Sequence, residues 1–229
     1  RLPGKPLLKI NGLSIISHAF KRAQDANIGE VVVAAADQEI VDDVIKNGGK
    51  AIITNNNHKT GTDRIYEAFK KLDIKDVDLI MNLQGDEPAI NIEDIISLNK
   101  KMTICPSQMG TLAATIKNDN DLDNENIVKV TTKKNLKYEA FSRAENFLRN
   151  CSKEDNVYHH IGIYCYSVET LERFVKLKQS QNEIKNRLEQ LRALDNNIEI
   201  NVALAKSSPI GVDTEEDYLA LKKIMEYKT

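Results

Sequence analysis

The chain has 229 residues, 41% of them hydrophobic, enough to bury the core of one large α/β domain or two small ones. Its 32 basic and 34 acidic residues leave a net charge of -2, which offers no cationic field for nonspecific nucleic-acid binding. No stretch reaches the roughly twenty apolar residues of a membrane span. No signal-peptide pattern is present, and Cys105, Cys151 and Cys165 are too dispersed for a disulfide framework, so a soluble cytoplasmic protein is expected.

The chain opens on Arg1, Leu2, Pro3, Gly4, Lys5 and Pro6. A glycine in such a loop lets the backbone approach a triphosphate while the Lys5 ammonium offsets charge on its oxygens. The alternative is an ordinary surface turn with an exposed lysine. A phosphate loop usually follows a buried strand, so one is expected ahead of Arg1.

Residues 13–26 place Ile15, Ile16, Ala19, Phe20 and Ala23 on one helical face, and 30–35 read as a short buried strand. A helix over 38–47 stops at Gly48 and Gly49, followed by a strand over 51–54, a loop over 55–61 and a helix over 62–72. The apolar strand 78–83 runs into Gln84, Gly85, Asp86, Glu87 and Pro88, and a helix starts at Asn91 or Ile92 and reaches Met102. Polar residues gathered at the carboxyl end of a strand mark the edge where open α/β sheets bind ligands. Strands are expected over 110–116, 127–132 and 159–166, with a polar stretch over 117–126. Helices over 168–177, 183–194 and 214–227 and a strand over 198–205 complete the pattern, which contains no internal repeat. A single domain is expected, with a strand-rich lobe over about 107–166.

Three clusters carry candidate chemistry. Asp86 follows a buried strand and suits magnesium, which is commonly held by one or two carboxylates plus phosphate oxygens; its alternative is an exposed turn carboxylate. Asp213, in Gly211-Val212-Asp213-Thr214, is either the second metal ligand or a helix cap, and the two roles coexist if Thr214 caps the helix. In His58-Lys59-Thr60-Gly61-Thr62-Asp63-Arg64, the amides of a helix start and Thr62 suit a base or ribose, while Arg64 equally fits a solvated helix face. Arg143 suits a carboxylate and His160 a hydrogen bond; the alternatives are a surface salt bridge and a packed strand histidine.

RLPGKPL, HKTGTDR, NLQGDEP, FSRA, HHIGIYCY, LEQLRAL and GVDTEED occur in one order across nearly the whole chain. In that order they resemble the bacterial 3-deoxy-manno-octulosonate cytidylyltransferases, the CMP-Kdo synthetases of the sugar nucleotidyltransferase superfamily. The resemblance implies a Rossmann-like α/β nucleotidyltransferase fold with a mixed, mostly parallel central sheet and an inserted strand-rich lobe for sugar binding and dimer contact. It implies a homodimer that joins CTP to Kdo, with Mg2+ as cofactor, and releases pyrophosphate for lipopolysaccharide synthesis. By position, Lys5 and Arg1 fall in the triphosphate loop. Asp37, Thr60, Gly61, Thr62, Arg64 and Gln84 fall on the nucleotide side, Asp86 and Asp213 at magnesium, and Arg143, His160, Glu189 and Gln190 on the sugar side. Ala36 stands where relatives often carry threonine, and Glu145-Asn146-Phe147 and Ser180-Gln181-Asn182-Glu183 depart from the usual sugar-lobe motifs. Two other readings remain: a glycosyltransferase using an activated sugar nucleotide, which lacks a clear Asp-X-Asp pair, and a catalytically silent nucleotide-binding module.

Overall fold

Asn11 and Gly12 both take positive φ, 50° and 79°, the requirement of a two-residue type I′ hairpin turn. They join β1 (Lys9–Ile10) to β2 (Leu13–Ser14), so the segment predicted as the start of a helix begins as a strand. The Ser14 hydroxyl then accepts the Ser17 N–H at 3.2 Å and starts α1 (Ile15–Asp25). The computed structural model describes residues 2–152, 155–208 and 211–226.

The α/β alternation follows in the predicted order: β3 (Val33–Ala35), α2 (Gln38–Lys46), β4 (Ala51–Ile53), α3 (Gly61–Leu72), β5 (Leu79–Asn82) and α4 (Ile92–Ile104). Next come β6 (Met109–Ala114), β7 (Lys129–Thr132), β8 (Ser142–Leu148), β9 (Val157–Ser167), α5 (Val168–Phe174), α6 (Gln181–Asn186), α7 (Leu191–Asp195), β10 (Ile200–Leu204) and α8 (Glu215–Glu226). The helix expected over 183–194 is two helices, because Arg187 enters the left-handed region at φ 54° and ends α6. β8 was not foreseen as a strand.

The chain forms two compact units. One comprises the residues through Ile74, Leu83–Ile96 and the described residues from Gly211 onward; the other comprises Lys75–Asn82 and Ser97–Ser208. In the first, β3 and β4 pair in parallel. Ile10, Ile15, Val212 and Leu221 are buried together there, so the hairpin, α1, the segment carrying Asp213 and α8 share one core.

The second unit holds a six-stranded mixed sheet in the order β5-β9-β6-β10-β8-β7, with β7 also pairing with β9. Within it β10 and β6 are parallel and the other pairings are antiparallel, so the parallel arrangement expected of the sheet extends to only part of it. Every residue of β6 is buried, as befits a strand covered on both faces. Gly110 belongs to that packing, since a Cβ there would stand 2.6 Å from the Met102 sulfur.

Candidate active site

Lys5 sits just after Gly4, whose φ of 65° is a left-handed conformation that a side chain would strain, and it opens a single 3-10 turn, Lys5–Leu7. Its ammonium donates to Asp86 Oδ2 at 2.6 Å, to Asp213 Oδ1 at 3.1 Å and to the Val212 carbonyl at 2.9 Å. Backbone bonds fix the same three segments, with Leu2 N–H on the Asp213 carbonyl at 3.2 Å and Val212 N–H on the Asp86 carbonyl at 3.0 Å. Three strings far apart in the sequence are thus one cluster within the first unit. Burial works against the Lys5 charge, but hydrogen bonds and opposite charge from Asp86, then Asp213, outweigh it and hold its pKa above the ordinary lysine value.

Asp213 does not cap α8. The Thr214 hydroxyl accepts the Asp217 N–H at 3.1 Å, while the Asp217 carboxylate accepts the N–H groups of Thr214 and Asp213 at 2.8 and 3.1 Å. That reciprocal cap leaves the Asp213 carboxylate for Lys5. Its sequence signal was Thr214-x-x-Asp217, an acidic residue three positions after a hydroxyl.

Glu87 is a site residue that sequence reasoning passed over. Its Oε2 is buried with no hydrogen-bond partner. Burial first, and the Asp86 charge second, push its pKa up to about 7. Gly85 lets the chain pass close to α1, since a Cβ would lie 2.5 Å from the end of the Ile16 side chain. The Gln84 carbonyl accepts the Glu87 N–H at 3.4 Å.

On the nucleotide side, the Thr60 hydroxyl accepts the Asp63 N–H at 3.2 Å and starts α3, with Gly61 first in the helix and Thr62 buried. Arg64 is not on a solvated face: it donates to Thr54 Oγ1 at 2.7 Å and to the Asn55 carbonyl at 3.3 Å. Glu67, also unforeseen, accepts the Asn55 N–H and pairs with His58 and Lys71, which with that N–H lower its pKa to about 2. Lys71 is the largest cause, followed by His58. Together Arg64 and Glu67 clamp the 55–60 loop. Asp37 precedes α2, and its carbonyl accepts the Ile40 and Val41 N–H groups at 3.2 and 3.3 Å. Arg1 lies outside the described residues.

The four predicted sugar-side residues all lie in the second unit. Arg143 is exposed on β8, 3.8 Å from Glu199. His160 is buried between Phe147 and Tyr164, at ring-centroid distances of 5.0 and 5.4 Å. The single Thr111 hydroxyl proton has the Ile163 carbonyl at 2.7 Å, so His160 Nε2, 3.1 Å from that oxygen, is the donor to it. Burial first, then the neighbouring His159, depress the His160 pKa to about 3. Gln190 is buried, and its carbonyl accepts the Ala193 N–H at 3.1 Å; the Glu189 carbonyl accepts the Arg192 N–H at 3.0 Å.

The Asp86 and Asp213 oxygens already converge on one cation, the ammonium of Lys5, so the donor set fits a magnesium ion whose remaining ligands are phosphate oxygens and water. No third His, Cys, Asp or Glu joins them as a metal-binding group among the described residues. No helix among those residues is long and apolar enough to cross a membrane.

A family profile described as Cytidylyltransferase matches residues 1–200. The chain belongs to the cytidylyltransferase family. Curated cytidylyltransferase relatives named 3-deoxy-manno-octulosonate cytidylyltransferase include one from Thermodesulfovibrio yellowstonii, 42% identical over 98% of this chain and 93% of its own length. Another, from Afipia carboxidovorans, is 41% identical over 98% of this chain and 92% of its own length. A solved CMP:2-keto-3-deoxy-manno-octonic acid synthetase complexed with CTP superposes with a TM-score of 0.89 at 33% identity, covering 100% of this chain and 94% of that one. UDP-glucose pyrophosphorylase complexed with UDP-glucose shares the α/β nucleotidyltransferase fold, at TM-score 0.66 and 13% identity over 98% of this chain and 91% of its own.

Proposed function

We propose that this chain transfers the cytidylyl group of CTP to 3-deoxy-D-manno-octulosonate (Kdo), giving CMP-Kdo and pyrophosphate for lipopolysaccharide synthesis. The observation that carries the reading is 42% identity to a relative of that name over almost the full length of both chains. The cluster of Lys5, Asp86 and Asp213 supplies chemistry of the required kind.

The anomeric hydroxyl of the sugar attacks the α-phosphorus while pyrophosphate departs with negative charge gathering on oxygen, so the protein's task is positioning and electrostatic stabilisation. The Gly4 turn brings backbone close to the phosphates, and the Lys5 ammonium offsets their charge. Asp86 and Asp213 would hold Mg2+, which when bound shields the two anionic substrates from each other and stabilises the leaving pyrophosphate. The 55–60 loop, clamped by Arg64 and Glu67, presents Thr60 and the Gly61 start of α3 to the nucleoside, with Gln84 and Asp37 on the same side of the reaction. Arg143 pairs its planar guanidinium with the sugar carboxylate. Glu189 and Gln190 complete the sugar side, and His160 supports it as a neutral ring that moves no proton. A homodimer in the cytoplasm, with a sugar-binding lobe over 107–166, belongs to the same reading.

A coupled pyrophosphate assay that screens four nucleotides against Kdo and sialic acid tests it. Release is expected with CTP and Kdo, falling by about a hundredfold or more in Asp86→Ala and Asp213→Ala variants whose circular dichroism is unchanged. Equal release with UTP and any sugar phosphate would reassign the substrate. Turnover of a sugar nucleotide without pyrophosphate would make the protein a glycosyltransferase.

A further inference from the structure

We propose that the Lys5 ammonium is the built-in counter-cation of Asp86 and Asp213, and that nucleotide and divalent-cation binding are coupled because the triphosphate draws Lys5 out of the place the metal takes. The inference rests on reading the two aspartates as metal ligands.

An ammonium has three N–H donors and no acceptor. All three are used here, on Asp86 Oδ2, Asp213 Oδ1 and the Val212 carbonyl. Lys5 therefore contacts a phosphate oxygen only by giving up at least one of these bonds. A divalent ion bound to the same carboxylate oxygens at about 2.0–2.1 Å would lie beside the ammonium, where like charges repel across a partly desolvated gap. The two oxygens that Lys5 occupies thus take the ammonium or the metal but not both, and an ion on the other oxygens of the same carboxylates would still face the ammonium charge a few ångströms away.

The lysine stem is flexible, so the head can swing without moving the Gly4 turn behind it. Phosphates give the displaced ammonium a new anionic partner, and the metal then takes the carboxylates it leaves. The coupling is reciprocal: by whatever factor the nucleotide tightens the metal, the metal tightens the nucleotide. Without nucleotide, Lys5 offsets one of the two negative charges and holds the two acids close together, so the site is organised before substrate arrives.

The test is Mn2+ binding to the full chain, read by electron paramagnetic resonance without turnover, for wild type, Lys5→Met and Lys5→Gln. Samples with CTP are corrected against protein-free CTP. Wild type is expected to bind Mn2+ weakly alone and at least about tenfold more tightly with CTP. Both variants are expected to bind Mn2+ alone about tenfold more tightly than wild type and to show a CTP effect smaller by that same factor, what is left being direct ligation by phosphate oxygens. Equal Mn2+ affinity across the three proteins without CTP overturns the inference.

Adding Asp86→Asn or Asp213→Asn to Lys5→Met separates the two claims. If Mn2+ binding survives both aspartate changes, the metal-ligand reading itself fails. If Mn2+ binding needs the aspartates but Lys5→Met does not tighten it in the absence of CTP, only the counter-cation role fails. A measurement on wild type alone guards against misfolded variants. Saturating Mg2+ is expected to raise the acetylation rate of Lys5, read by peptide mass, severalfold relative to exposed lysines, and an unchanged rate again overturns the inference.

Discussion

His160 shows how burial decides what an ionisable side chain does. The ring packs edge-on to Phe147 and its Nε2 lies against Thr111, so the folded chain holds it neutral and its pKa falls from 6.5 to about 3. Between those values the unfolded chain binds a proton that the folded chain does not, so stability falls as pH drops from 6.5 toward 3 and is unaffected by this group above 6.5. His160→Gln keeps a hydrogen-bonding group but removes the titration. Urea unfolding across that range is therefore expected to show a pH slope shallower by up to about one proton in the variant. The histidine was legible in the sequence as a strand residue with two possible fates. Only its surroundings selected the packed one.

At the scale of elements, the caps and the buried pair are the parts most open to test. Thr60 satisfies the Asp63 N–H at the start of α3, so Thr60→Ala is expected to cost about 1 kcal/mol in chemical denaturation, with faster amide exchange in the first turn. In the second unit, Arg192 makes two bonds to the Glu183 carboxylate, at 2.8 and 2.5 Å, with both side chains 3% exposed. Breaking such a pair from one side strands a buried charge, so Glu183→Gln is expected to cost about 3–5 kcal/mol near neutral pH. Burial by itself would raise the Glu183 pKa, but Arg192, with Gln179 and the Ser180 N–H, outweighs it and lowers the value. Its stabilising contribution is therefore present above the ordinary glutamate range and lost as pH falls through the depressed value. The gap between wild type and Glu183→Gln is expected to close in acid, checked by denaturant midpoints at several pH values.

Element types were legible wherever local chemistry was strong. The Asn11-Gly12 turn carried a hairpin signal that the apolar helical face starting at Leu13 obscured. β8 was missed for a different reason. Arg143, Glu145 and Asn146 make it read as polar, yet Ser142, Ala144 and Phe147 are buried, and pairing to β7 and β10 makes it a strand.

For the whole molecule, ligand linkage gives the broadest test. A ligand that binds only the folded chain adds about 2.7 kcal/mol of stability at a hundredfold excess over its dissociation constant. CTP with Mg2+ is therefore expected to raise the melting temperature of the full chain, and Asp213→Asn to remove most of the rise in the same thermal scan. The α/β class, the order of nearly all elements and the two acidic strings after predicted turns followed from the sequence by itself, because hydrophobic period and turn chemistry act over a few neighbouring residues. Tertiary structure alone decided that Lys5 meets Asp86 and Asp213, partners 81 and 208 positions away, and that Asp217 frees Asp213 from capping. It alone also assembled each compact unit from separate stretches of chain. Those outcomes depend on which distant segments share a core and satisfy one another's backbone, and no local pattern encodes that.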